Sequence, residues 1–532
     1  MAARYWVGGT GTWSAVNTAN WSTTTGGASG ASVPTSVDSP IFDANSGGGT
    51  VTLNYTPTII NIDFRGFAGT FNFDTYEINA NRNGGVIVQQ DGTSSMSGTK
   101  TINLTYAGAV GTRTLGMLTV IEANALNINV IAGTDIVTNS TNNICGNLNF
   151  TGFSGTLSNV ARTIFGSLTI SSGMTVTAGA NATTFAATSG TQQITTNGKT
   201  LDHPITQNSP GATVQLQDNL TIGSTRTFTL TAGTLDLTGN SGNWTLSTGL
   251  FSGSNSNTRS IAFGTGNITV TGNGATIFTM GIVTNFTYTG TPTVNCTYAG
   301  GTGTRTIGFQ TVDSSEAKVL NFNISAGSDI VSFTGTGGAA KNINLTGFTG
   351  TINIPASKII YGSWDSGSAT AFTGTFLVTF AATSGTQTIR SGGLTWSTSL
   401  AFNGIGGTWA CQDALTQDST RPFTITEGTV QLKNGVTSTV GAFATSSTNQ
   451  KFLQSTTPGS QATLSQASGT VDASYLTIRD INATGGATWN AFVDQSNIDA
   501  GNNDGWNFGI SPVIGGAEYT YQLRSFTQPR RF

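Results

Sequence analysis

Long stretches of this chain occur twice, and that restricts its fold more than any other feature. TINLTYAGAVGTRTLG, residues 101 to 116, returns as TVNCTYAGGTGTRTIG, residues 293 to 308, an offset of 192. LNINVIAGTDIV (126 to 137) matches LNFNISAGSDIV (320 to 331), and LNFTGFSGT (148 to 156) matches INLTGFTGT (343 to 351). FAATSGTQ recurs unchanged at 185 to 192 and at 380 to 387. Across these segments the offset runs from 192 to 195, which places one- or two-residue insertions between matched segments, where a stacked fold tolerates them. A unit of about 195 residues has been duplicated.

The two copies report on each other's inward positions, because side chains alternate faces along a strand. In TRTFTLTAGTLDL (225 to 237) against TRPFTITEGTVQL (420 to 432), Phe228 matches Phe423, Leu230 matches Ile425, Leu235 matches Val430 and Leu237 matches Leu432. Between them Thr227 becomes Pro422, Ala232 becomes Glu427 and Asp236 becomes Gln431, the freedom expected of solvent-facing or turn positions. The period is two, so the units are strands. The same control predicts burial for Cys296, Cys411 and Cys145, which stand opposite Leu104, Leu216 and Ala340. It also predicts burial for Trp364, Trp396 and Trp409, opposite Leu168, Leu201 and Val214. Trp6, Trp13, Trp21, Trp244, Trp489 and Trp506 have no such control and are open to exposure.

A third, partial echo, FRGFAGTFNF at 64 to 73, places the start of stacking early. A unit near 195 residues far exceeds one solenoid coil of about 20 to 30 residues, so each copy holds several coils. The expectation is an all-β chain forming a parallel β-helix, with tandem antiparallel β-sandwiches as the alternative. The expected division is a cap or attachment motif over 1–45, first coils over 46–100, copy one over 101–240, connecting coils over 241–292, copy two over 293–435, closing coils and a cap over 436–510, and an arm over 511–532.

Composition narrows the function classes. Only 8% of the 532 residues are Asp, Glu, Lys or Arg, about a third of the usual share of roughly 25%. With 36% hydrophobic residues the chain has enough to fold. A net charge of −3 without a basic cluster argues against nucleic acid as a partner. MAARYWVGGTGTW lacks the basic start and apolar run of a signal peptide, and no segment has the apolar length of a membrane span, so neither export by that route nor membrane insertion is expected. Three widely spaced cysteines suggest free thiols rather than a disulfide framework or a zinc site.

Catalytic signals are sparse, and no catalytic, metal or cofactor residue is assigned. Three acids persist in both copies: Glu122 and Glu316, Asp135 and Asp329, Asp218 and Asp413. A glycosidase needs two carboxylates about 5 to 10 Å apart, which neighbouring coils can supply. Asp135 and Asp329 follow Ala-Gly-Thr and Ala-Gly-Ser, where an aspartate commonly bonds its own turn. His203, the one histidine, follows Asp202, but adjacent strand residues face opposite ways; its counterpart is Thr398, and a surface or loop position is expected. DQSNIDAGNNDGWNF (494 to 508) departs from the EF-hand spacing and reads as Asx turns closing the last coil.

The framing segments RYWVGGTGTWS (4 to 14), NWS (20 to 22), PTSVDSPIFDA (34 to 44), ATGGATWNAF (483 to 492) and GNNDGWNF (501 to 508) resemble those of Gly/Thr-rich structural proteins of tailed bacteriophages and of some repeat-built bacterial surface proteins. That resemblance implies a β-helical fibre or spike on a virion, with a structural or host-receptor-binding role. A polysaccharide-degrading tailspike and a bacterial surface adhesin or capsid decoration protein are the alternatives. It further implies a homo-oligomer, a trimer by analogy, contacts with other virion proteins and a host surface glycan as a candidate ligand. The tail SPVIGGAEYTYQLRSFTQPRRF (511 to 532) gathers Arg524, Arg530 and Arg531 beside Tyr519, Tyr521, Phe526 and Phe532, a composition suited to docking on a neighbouring chain.

Overall fold

The computed structural model describes residues 2–312 and 314–512. They form a parallel β-solenoid of about 20 turns, with four short 3-10 turns as the helical elements among the described residues. Neighbouring strands pair in parallel; Ala2–Trp6 with Trp21–Ser22 is the antiparallel strand pair. The sandwich alternative is thereby ruled out, because sandwich strands fold back on themselves. Leu148 stacks on Leu168 and Val294 on Phe322, so coils of 20 to 28 residues occur and the extra length goes into turns.

Alternation along each strand builds the core. Phe228, Leu230, Leu235 and Leu237 are fully buried, as are their sisters Phe423, Ile425, Val430 and Leu432. Like side chains stack from coil to coil: the rings of Phe228, Phe251 and Phe278 lie 5.9 and 5.5 Å apart and nearly parallel. Burial of this apolar column is the main drive to fold. Outside, amide ladders tie coils together: Asn103 donates to Asn79 at 3.1 Å and Asn129 to Asn103 at 3.0 Å, and in the second copy Asn323 donates to Asn295 at 3.0 Å.

The first end of the column is closed by aromatic rings. Trp6, Trp13 and Trp21 are fully buried and meet edge to face around Phe42, with Trp6 and Trp13 centroids 5.3 and 5.1 Å from Trp21. Trp489 is buried as well, while Trp244 and Trp506 are half-buried. These residues lack a sister, so alternation alone did not place them.

The strand stacks show how the copies are joined. One stack carries Thr101–Leu104 on Ile78–Ala80 and rises through Asn127–Val130, Leu148–Asn149, Leu168–Thr169 and Thr191–Thr195. It continues through the second halves of Ile205–Leu216 and Thr227–Asp236 to Arg259–Gly264 and Phe286–Gly290. The sister of Thr101–Leu104 is Thr293–Cys296, and it stands on a different stack. It lies on Asn267–Val270, above Thr245–Thr248, Leu220–Ile222 and Thr200–Leu201. Eight pairings climb the first stack, and one more face reaches Thr293–Cys296. The second copy is therefore displaced by eight coils and one face of three, and sister surfaces point in different directions.

Candidate functional site

The acids repeated in both copies hold coils together. Asp135 and Asp329 are buried, and each receives a two-pronged contact from an arginine one coil below. Arg113 Nε and Nη2 lie 2.8 and 2.6 Å from the two oxygens of Asp135, and Arg305 Nε and Nη2 lie 2.7 and 2.8 Å from those of Asp329. Each guanidinium also donates to a backbone carbonyl, Ala132 or Ala326, at 2.9 Å, and lies over a tyrosine and a phenylalanine, Tyr106 and Phe153 or Tyr298 and Phe348. The expected turn role of these aspartates is corrected: they clasp a buried cation. Glycine is required beside them, because Gly133 and Gly327 have φ of 106° and 103° and a Cβ there meets Nη2 of the arginine at 2.7 and 2.6 Å.

Glu122 accepts from the amide of Thr188 and, at 2.7 Å, from its hydroxyl, 66 residues further on. Glu316 accepts from Thr383 at 2.9 Å across 67 residues. Both threonines belong to FAATSGTQ, so the string recurs as the receptor of a strut from an earlier coil. Asp218 accepts from the amide and hydroxyl of Thr196, and Asp413 from the amides of Ser391 and Gly392 at 2.8 Å, each capping a turn of the preceding coil.

His203 is buried, which corrects the expected surface position. Asp202 turns outward to Arg226 at 2.8 Å, while His203 turns in and places Nε2 3.0 Å from Thr183 Oγ1. Burial and the nearby Arg162 push its pKa down to about 4. Arg162 and its sister Lys358 are buried cations bonded to turn carbonyls, Arg162 Nη2 to Ser158 at 2.7 Å and Lys358 Nζ to Gly335 and Ala356 at 2.7 and 2.8 Å. Burial pushes them down to about 10 and about 8. Cys145, Cys296 and Cys411 are buried free thiols whose pKa burial raises to about 12.

In the closing coils Asp499 accepts from Gly501 at 2.9 Å and from Asn503 at 2.7 Å, and Asn502 donates to Asp480 at 2.7 Å. No group of three or more His, Cys, Asp or Glu placed to hold a metal ion occurs among the described residues. Residues 513–532, most of the tail predicted to dock, lie outside the described residues.

One open feature recurs on the surface. In the second copy a groove of about 350 Å³ is lined by Ile405, Glu427, Asn449, Gln450 and Phe452 with Gly406 and Gly428. In the first copy a groove of about 670 Å³ is lined at the sister positions by Pro210, Gly211, Ala232, Asn257 and Thr258. Sister glycines bend both corners alike, Gly406 and Gly211 with φ of 85° and 84° and Gly428 and Gly233 with φ of 80° and 89°, but strands Ile205–Leu216 and Thr227–Asp236 run through the first corner whereas turns interrupt them in the second. Phe452 pairs with Thr429 as Ser260 pairs with Thr234. Glu427 and Ala232 were expected to face solvent or turns; both are largely buried, at 8% and 5% exposed, and form the groove floor. The variation between the copies at these positions was the signal. No protein-family model, curated protein or solved structure matches the chain.

Proposed function

We propose that this chain is a structural protein of a bacteriophage virion, a tail fibre or spike element on the particle surface with a structural or host-receptor-binding role. The observation that carries the reading is a continuous column of about 20 coils, a rod roughly 95 Å long at 4.7–4.9 Å per coil. Its repeated acids are spent on clasping coil to coil. A rod with so few exposed ions keeps its form over a wide range of salt. The framing segments resemble phage structural proteins, and fold alone does not specify function. Gold-labelled antibody against the chain, viewed on phage particles by electron microscopy, is expected to decorate one site on the virion surface. Absence of label from intact particles would overturn the reading.

Assembly as a homo-oligomer, a trimer by analogy, belongs to the same proposal. Because sister faces point in different directions, a lateral contact running the whole rod meets unlike surfaces in the two copies. The contact is therefore expected within one copy or at an end. Deleting residues 511 to 532 is expected to leave the circular dichroism unchanged and to weaken the oligomer, read as mass in solution. Undiminished assembly would remove the tail from the contact.

A further inference from the structure

The grooves at the sister corners share their glycine bends and differ in side chains, which points to what the second copy has gained. Ala232, Thr258 and Ser260 of the first copy are Glu427, Gln450 and Phe452 in the second, Pro210 is Ile405, and Asn257 is kept as Asn449. Glu427 is more than nine-tenths buried. Its Oε1 accepts from Asn449 Nδ2 at 2.8 Å, and its Oε2 receives no hydrogen bond among the described residues. That oxygen is open to the groove and free to accept a hydrogen bond from a ligand hydroxyl or from water. Phe452 and Ile405 are exposed, at 40% and 68%, and stand beside this carboxylate as an apolar wall.

We propose that this groove binds one or two rings of an uncharged carbohydrate. The chemistry selects that class. A free carboxylate oxygen accepts from a hydroxyl, the amides of Asn449 and Gln450 both donate and accept, and the phenyl ring covers the apolar C–H face of a pyranose. An anionic ligand is repelled by Glu427, and a metal cation finds only one carboxylate. A volume of about 350 Å³ falls within the range of about 300–1,000 Å³ usual for small-molecule sites. The inference rests on the receptor-binding reading, since it names the chemistry such a receptor would present. The first-copy groove, with alanine and serine at the two decisive positions, serves as the internal blank.

The test uses the full chain and saturation-transfer NMR with maltose, lactose and N,N′-diacetylchitobiose. Glu427→Ala and Phe452→Ser each install the residue that the sister copy carries at that position, and circular dichroism checks that the fold is kept. The expected result is transfer to at least one sugar in the parent chain, weakened roughly tenfold or more by either substitution. Adding Glu and Phe at the first-copy corner, Ala232→Glu with Ser260→Phe, is expected to increase binding. No transfer from any of the three sugars, or transfer unchanged by both substitutions, overturns the proposal. Such a failure leaves gold labelling of the virion untouched, so it is distinguishable from failure of the fibre reading.

Discussion

In the first copy the corner groove is lined by Pro210, Ala232 and Thr258; in the second the sister positions carry Ile405, Glu427 and Gln450. A few coils away the two copies are indistinguishable, with Arg113 on Asp135 and Arg305 on Asp329 in the same two-pronged geometry. The contrast separates two kinds of constraint. A clasp inside the column has to satisfy a buried charge, and any change leaves that charge unpaired. A groove at a corner touches water, and its side chains change without disturbing the stack.

The clasp gives the largest expected effect. Asp135→Ala and Asp329→Ala each strand a buried guanidinium, and each is expected to cost about 3–5 kcal/mol, read as a shift in denaturant midpoint. A loss below about 1 kcal/mol in either copy, the value of a surface pair, would show that the two clasps are not equivalent.

His203 marks a place where the copies differ inside the column, since Thr398 is its sister. Its folded pKa of about 4 lies below the ordinary value of 6.5, so the neutral ring is favoured in the fold. The stability it lends is complete above pH 6.5 and is lost as pH falls from 6.5 to about 4, because the unfolded chain takes up the proton first. The loss amounts to about 3 kcal/mol at most. His203→Thr, the residue of the second copy, is expected to flatten that part of the stability profile. An unchanged acid profile would place the titration elsewhere.

Gly133→Ala and Gly327→Ala crowd the arginine of each clasp and force a positive φ on alanine. A cost of about 1–3 kcal/mol is expected in each, and thermal melts that distinguish the two sites would break the equivalence. The smallest effect is on the native thiols. Cys145, Cys296 and Cys411 should remain unlabelled by a maleimide until the chain is unfolded, and rapid native labelling of two or more would contradict their burial.

The fold was legible because duplication turned each strand into its own control: apolar residues stayed apolar at every second position, as at Phe228 and Phe423. The clasp was partly legible. TRT recurs in both copies, with Arg113 22 residues and Arg305 24 residues before the repeated aspartate, a coil's length, but the adjacent Ala-Gly-Thr and Ala-Gly-Ser pointed to a local turn instead. His203 was misplaced because Pro204 follows it at a corner, where strict alternation no longer says which side faces in. The groove was hidden by the same reasoning, since variation at Ala232 and Glu427 reads as surface freedom whether or not a cavity lies above it. The one-face displacement leaves no trace in an offset of 192 to 195 residues, because coils of unequal length make residues a poor count of turns.

Crosslinking across the junction between the copies reads that displacement. Thr269 and Asn295 are register partners on adjacent coils, one before and one within the second copy, and strands 4.7–4.9 Å apart bring paired cysteines within disulfide reach. Asn103 and Asn129 are register partners wholly inside the first copy and supply the control. Mild oxidation of Thr269→Cys/Asn295→Cys is expected to form the intramolecular disulfide as completely as Asn103→Cys/Asn129→Cys, read by peptide mass mapping. A disulfide in the control pair and none across the junction would contradict a continuous column turned by one face.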